Sequence, residues 1–126
     1  MTKQMNIGIF GSNNDSTIDG VVAEAAQAER DGFASYWQSQ IFGLDALSTL
    51  SVVGREVPRI ELGTSVIPVY PRHPMMLAQQ ALTANQAAGG RLTLGIGLGH
   101  KVVVEGMTNM SFDKPVRHMK EYLSIL

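Results

Sequence analysis

Residues 60–74 read Ile60-Glu61-Leu62-Gly63-Thr64-Ser65-Val66-Ile67-Pro68-Val69-Tyr70-Pro71-Arg72-His73-Pro74. Ile60 to Ile67 is a short run rich in Ile, Leu, Val and Thr, as expected of a buried strand. Pro68 and Pro71 have no N–H to give a ladder, so the chain leaves the sheet there. Pro74 suits the first position of a helix, where a missing N–H costs nothing. The stretch is therefore a strand, an irregular corner and a helix start. In a parallel sheet, such a corner at the carboxyl end of a strand is where sites are built.

The same grammar repeats on both sides. Upstream, Met5 to Gly11 reads as a first strand. Ser16 with Asp19 resembles a capping box, followed by a helix with Ile18, Val21, Val22, Ala25 and Ala28 on one face. Gly32 suits the position that ends it. Phe33 to Ser39 reads as a second strand, and strand alternation sends Tyr36 and Trp37 to opposite faces. Asp45 can cap a helix carrying Leu47, Leu50, Val52 and Val53, which Pro58 ends. Downstream, the helix from Pro74 carries Leu77, Ala81, Leu82, Ala84 and Ala88 and stops at Gly89-Gly90. Leu92 to Gly97 reads as the fourth strand, a glycine-punctuated loop follows, and Asp113 with Pro115 begins a fourth helix. The order is βαβαβαβα: an α/β chain of four parallel βα units with right-handed crossovers, read as a single domain over residues 1–126.

Composition excludes several classes. The net charge is -1 and no Lys/Arg block occurs, so nothing calls for nucleic acid or an anionic membrane. There are no cysteines, which removes disulfides and thiolate metal sites and fits a cytoplasmic setting. No signal peptide and no membrane-spanning run of about 18 apolar residues is present. The three histidines lie far apart, without a carboxylate at ligand spacing, so they predict no metal site. No G-x-S-x-G elbow supports a hydrolase.

Candidate site residues gather at the predicted strand ends. Gly95, Gly97 and Gly99 alternate, which allows close backbone approach to a ligand or close packing of the strand itself. A dinucleotide fingerprint needs G-x-G-x-x-G opening a helix. Here the spacing is even, and His100-Lys101-Val102-Val103-Val104 is β-branched rather than a clean helix start. His100 follows the fourth strand directly; it is either a proton donor and acceptor or a solvated loop histidine. His73 reads as a helix cap or packing residue, and His118 as a surface residue. Gln40 and Ser39 end the second strand and can hydrogen-bond a ligand.

Four segments in fixed order carry a more specific likeness: Leu62-Gly63-Thr64-Ser65-Val66, Tyr70-Pro71-Arg72-His73-Pro74, Ala78-Gln79-Gln80-Ala81-Leu82-Thr83, and Gly90-Arg91-Leu92-Thr93-Leu94-Gly95-Ile96-Gly97-Leu98-Gly99. Together they resemble the bacterial luciferase-like superfamily, and within it the coenzyme F420-dependent oxidoreductases, a group that includes methylenetetrahydromethanopterin reductase. The resemblance implies a TIM-barrel type (β/α)₈ fold that binds coenzyme F420, or FMN as the alternative, at the carboxyl ends of its strands. It implies a cis peptide at Ser65–Val66, beside Thr64, backing the ring. It places Gly97 and Gly99 near the cofactor, with Gln40 a cofactor contact by its position at the end of the second strand, and gives His100 the place of a proton donor. Where sugar-phosphate dehydrogenase relatives often read Ser-Asp-His-Phe, this chain has Ser39-Gln40-Ile41-Phe42, so the resemblance does not imply their substrate.

A barrel of this kind needs roughly 250 residues, and 126 residues supply half of it, the N-terminal half. Leu126 is apolar with no stop signal behind it, so the chain reads as cut within a helix or as ending in a frayed one. The expectation is a half-barrel that self-associates through open edges, either as part of an oxidoreductase acting on a small organic substrate or as a noncatalytic association module.

Overall fold

A computed structural model describes residues 5–12 and 17–126. Strand β1 (Gly8–Phe10) leads to helix α1 (Ile18–Arg30), β2 (Ser35–Gln38), α2 (Ala46–Glu56) and β3 (Glu61–Thr64). Then come β4 (Ile67–Pro68), α3 (Pro74–Ala87), β5 (Leu92–Thr93), β6 (Ile96–Gly97), α4 (Lys101–Thr108) and α5 (Pro115–Ile125). Strands β1, β2, β3 and β5 form one parallel sheet in that order, and β4 pairs with β6, also in parallel. Neighbours in space are neighbours in the chain. Helix α1 packs on α2, α2 on α3, and α3 on α5, so the crossover helices form a row in chain order. Sheet and helices together make an arc of a βα-barrel wall.

Local chemistry explains the boundaries. Thr17 caps α1, its Oγ1 accepting from the Gly20 N–H at 3.0 Å; Ser16 of the expected capping box lies outside the described residues. Asp45 caps α2, accepting from the Ser48 N–H at 2.9 Å. His73 caps α3: Nδ1 accepts from the Met75 N–H at 3.2 Å, and Pro74 opens the helix. Gly89 and Gly90 end it with φ of 63° and 86°, which side chains resist. Gly54 of α2 lies against the backbone of Ala88, so a Cβ there would separate α2 from the end of α3. Arg91 bridges the gap, donating to the Ile60 carbonyl at 2.7 Å and to the Gly54 carbonyl at 2.8 Å.

Three expectations need correction. First, the third and fourth strands are each broken in two. Thr64 Oγ1 donates to the Gly95 carbonyl at 2.8 Å and accepts from the Gly95 N–H at 2.9 Å. A side chain thus takes the place of a ladder rung, and pairing resumes when Ile67 N and Val69 N donate to Gly95 O and Gly97 O. The Ser65–Val66 peptide within the break is cis. Second, residues 101–108 form helix α4, although three consecutive valines do not read as a helix start. β-branched residues lower helix propensity by only tenths of a kcal/mol each (roughly), and Val104 is buried in the core, so packing decides. Asp113 does not cap α5; Lys114, with φ 51°, stands at its N-cap with no side-chain bond. Third, His118 is not a surface residue. Its ring stacks on Tyr70 at 4.3 Å and 5°, and its Nε2 is buried. The cause is the docking of α5 on the 69–73 corner, where Tyr122 donates its hydroxyl to the Arg72 carbonyl at 2.9 Å.

The core lies between the sheet and the helices. Val21, Ala25, Tyr36, Leu50, Val53 and Leu62 form one cluster, and Leu47, Ile67, Leu77, Val104 and Tyr122 belong to a second. Tyr36 faces the helices, its hydroxyl donating to Glu24 at 2.6 Å. Burial pushes this hydroxyl's pKa up, and the Glu24 hydrogen bond and charge add to the shift. Trp37 faces the other way and spreads over Gly8 and Gly63, where any Cβ would strike its ring. Among the described residues, no helix is long and apolar enough to cross a membrane.

Candidate functional site

The carboxyl ends of the strands converge on a cleft of about 720 Å³. Each wall follows from a strand ending. Phe10 closes β1, Ser39 to Phe42 follow β2, Ser65 and Val66 fill the break after β3, and Gly99 and His100 lead from β6 into α4. Helix α4 completes the cleft with Val103 and Met107, one turn apart. A concave, mostly apolar cleft of this size with a few polar groups is the common form of a small-molecule or cofactor site.

The structure brings six of the sequence-identified residues together on this cleft: Ser39, Gln40, Ser65, Val66, Gly99 and His100. Thr64 and Gly97 stand one layer behind. Thr64 is 0% exposed and spends its hydroxyl on Gly95. Gly97 sits beneath Val66, whose Cγ2 would be 2.6 Å from a Cβ at that position. Close packing of the broken strands is therefore sufficient reason for a glycine at position 97. Gly99 differs: its φ of 75° favours glycine, and the turn it makes opens the backbone toward the cleft.

His100 is the N-cap of α4, but its imidazole makes no capping bond. Among the described residues its carbonyl is engaged by the N–H groups of Val103 and Val104. The exposed ring is left to face the cleft. Ser39 is 7% exposed, and its hydroxyl has no hydrogen-bond partner among the described residues. Leaving such a group unpaired costs about 1–3 kcal/mol. An acceptor or donor on a ligand in the cleft would satisfy it.

Arg72 was not singled out as a site residue by the sequence. Its guanidinium pairs with Asp45, donates to Gln80 Oε1 at 2.9 Å and lies 3.5 Å from Gln40 Oε1. Burial pushes the Asp45 carboxyl up, but hydrogen bonds from Ser48 and the Arg72 guanidinium outweigh it and hold the group below its ordinary value. Asp45 and Arg72 are 27 residues apart, so no local pattern announces the pair. Phe10, Val103 and Met107 were also missed. The spacing of the last two would have shown a shared face once residues 101–108 were recognised as a helix.

An orphaned hydroxyl, the Gln40 NH₂, an exposed imidazole and a glycine turn fit one end of a planar, heteroatom-edged ring such as a flavin or deazaflavin. They offer no cluster of free cations for a phosphate tail, because Arg72 is already paired.

Residues 5–126 match the family model described as luciferase-like monooxygenase. A Mycobacterium tuberculosis protein provisionally named a coenzyme F420-dependent oxidoreductase is 34% identical over 97% of this chain, a match covering 34% of its own length. An F420-dependent secondary alcohol dehydrogenase, solved with an F420–acetone adduct, superposes with a TM-score of 0.82 at 21% identity, over 98% of this chain and 41% of that one. The oxygenating constituent of 3,6-diketocamphane monooxygenase from Pseudomonas putida, solved with FMN, gives 0.80 at 22% identity, over 96% and 38%. The chain thus spans about a third of the length of the curated relatives it matches.

Proposed function

The chain belongs to the luciferase-like monooxygenase family, and from that premise we propose that it forms the N-terminal part of an oxidoreductase that exchanges hydride between coenzyme F420 and a small organic substrate. The observation that carries the proposal is the convergence of Gln40, Ser65–Val66, Gly99 and His100 on one cleft, with the unpaired Ser39 hydroxyl among them. The F420-dependent relative and the F420-dependent structural neighbour support the choice of cofactor.

When bound, the cofactor supplies the hydride chemistry, and the protein supplies position, orientation and proton traffic. Val66, two-fifths exposed on the cleft, offers an apolar backing surface. Gly99 lets the main chain approach without a side chain in the way. Ser39 and Gln40 offer polar contacts at the ring's edge. His100 holds or moves a proton at a substrate oxygen, which an imidazole can do near neutral pH. Thr64 and Gly97 serve the cofactor indirectly, by holding the Ser65–Val66 segment in place.

The FMN-bound neighbour favours a second reading, an FMN-dependent monooxygenase. Titration of the intact protein with each cofactor, followed by absorbance and fluorescence, separates the two. Saturable perturbation of F420 supports the proposal; perturbation of FMN alone moves the assignment to the monooxygenase.

The 126 residues are read as one cytoplasmic domain. The half-exposed Phe10 and the flanks of β1 and β5, which pair with no further strand among the described residues, make association with a second copy the expected behaviour of the isolated chain. A monomer in sedimentation at micromolar concentration would contradict that association.

A further inference from the structure

The Gln40 amide is held in one orientation by groups that can only donate. Gln40 Oε1 accepts from the Ala46 N–H, the first of α2, at 2.8 Å. It also lies 3.5 Å from Arg72 Nη2. A backbone N–H and a guanidinium have no acceptor to offer. Turning the amide over would set its NH₂ against both, and against the positive end of α2. The oxygen is therefore fixed toward the helix, and the NH₂ is turned away from it. That NH₂ has no hydrogen-bond partner among the described residues, and Gln40 lines the cleft. The neighbouring Ser39 also lines the cleft, and its hydroxyl is buried with no partner among the described residues.

The orientation depends on a clamp. Asp45 spends one carboxylate oxygen on Arg72 and the other on the Ser48 N–H. Arg72 reaches across to Gln80 of α3, and its carbonyl is held by Tyr122 of α5. The clamp ties the 39–45 loop, with Gln40, Ile41 and Phe42, to the corner that follows β4. A lysine could keep the charge pairing with Asp45 but could not span the same three partners.

We propose that Gln40 is a directional donor to a carbonyl oxygen or ring nitrogen on the ligand of the cleft, with the Ser39 hydroxyl completing the contact, and that Arg72 is a positioning residue that fixes the Gln40 amide through Asp45. The inference rests on the reading of the cleft as a deazaflavin or flavin site, since both rings present acceptors along one edge. It adds the polarity of the contact and the residues that set it.

Gln40→Glu separates this role from simple helix capping. The carboxylate keeps an acceptor for the Ala46 N–H and adds negative charge at a helix N-terminus, so thermal stability is held or raised. It replaces the outward donor with an acceptor, so affinity for the bound cofactor falls on the order of tenfold to a hundredfold. For Arg72, the readout is coupling. Arg72→Lys lowers affinity when Gln40 is present and lowers it no further in a Gln40→Ala background. Affinities are measured by titrating the intact protein with F420 and with FMN, with circular dichroism as the check on folding. If wild type binds neither cofactor, the cofactor reading fails and this inference with it. If wild type binds and Gln40→Glu binds equally well, only the donor role is overturned. Additive losses from Arg72→Lys and Gln40→Ala overturn the positioning role.

Discussion

Strand β2 and the loop that follows it show two kinds of apolar environment. On one face Tyr36 is 0% exposed, enclosed by α1 and α2, and its one polar atom is bonded to Glu24. Past the end of the same strand, Ile41 and Phe42 stand open at the cleft, Phe42 71% exposed. Around Tyr36, aliphatic side chains fill space and the buried hydroxyl is paired. At the cleft, apolar side chains are exposed, and the Ser39 hydroxyl and the Gln40 NH₂ have no partner among the described residues. The closed region carries the stability, and the open one is shaped for something not part of this chain.

A void behind the sheet has the largest expected effect. Leu50→Ala removes a fully buried side chain and should cost about 2–5 kcal/mol, read from the urea midpoint. A loss under about 1 kcal/mol would mean that this region is not the stabilising one. Gly95→Ala comes next. Its Cβ would fall on the Thr64 carbonyl oxygen, so overpacking should cost about 1–3 kcal/mol and also weaken cofactor binding by shifting the Ser65–Val66 segment. Full retention of both would show that the Thr64–Gly95 clasp has no role.

The Arg72–Asp45 clamp gives a pH-dependent test. Asp45 has a folded pKa below its ordinary value of 3.8. Its stabilising contribution is present above that ordinary value and is lost as pH falls through the lower folded one. Asp45→Asn should therefore flatten the acid limb of the stability profile below about pH 4. An unchanged limb would assign the acid sensitivity to other carboxylates. The smallest effect is expected at the cleft rim. Phe42→Ala should change stability by no more than about 0.5 kcal/mol while weakening binding of the organic substrate. A large loss of stability there would close the cleft as an open surface.

Most of the closed region was legible in the sequence, because its signals are local. Asp45 before α2, His73-Pro74 before α3 and Gly89-Gly90 after it are caps and stops that act within one turn. The alternation of Tyr36 and Trp37 was legible for the same reason. The open region was less so. The breaks in the third and fourth strands are made by Thr64 and Gly95, 31 residues apart, and hydropathy along either strand does not show them. Only the family resemblance located the cis Ser65–Val66 peptide. Helix α4 runs against its own valines, and its formation depends on where Val104 is buried. The Arg72 clamp and the Tyr70–His118 stack depend on segments brought together by packing. Identifying the cleft residues one by one was possible; the partners that orient them were not visible before the fold was known.

The proposed deazaflavin or flavin site lies at the strand ends. Amide hydrogen exchange with and without saturating F420, repeated with FMN, tests it directly. The account predicts slowed exchange in three separated segments, around Gln40–Phe42, Ser65–Val66 and Gly99–Val102, with the N–H groups of α1 unchanged. Slowed exchange confined to other segments, or none with either cofactor at saturation, would contradict it.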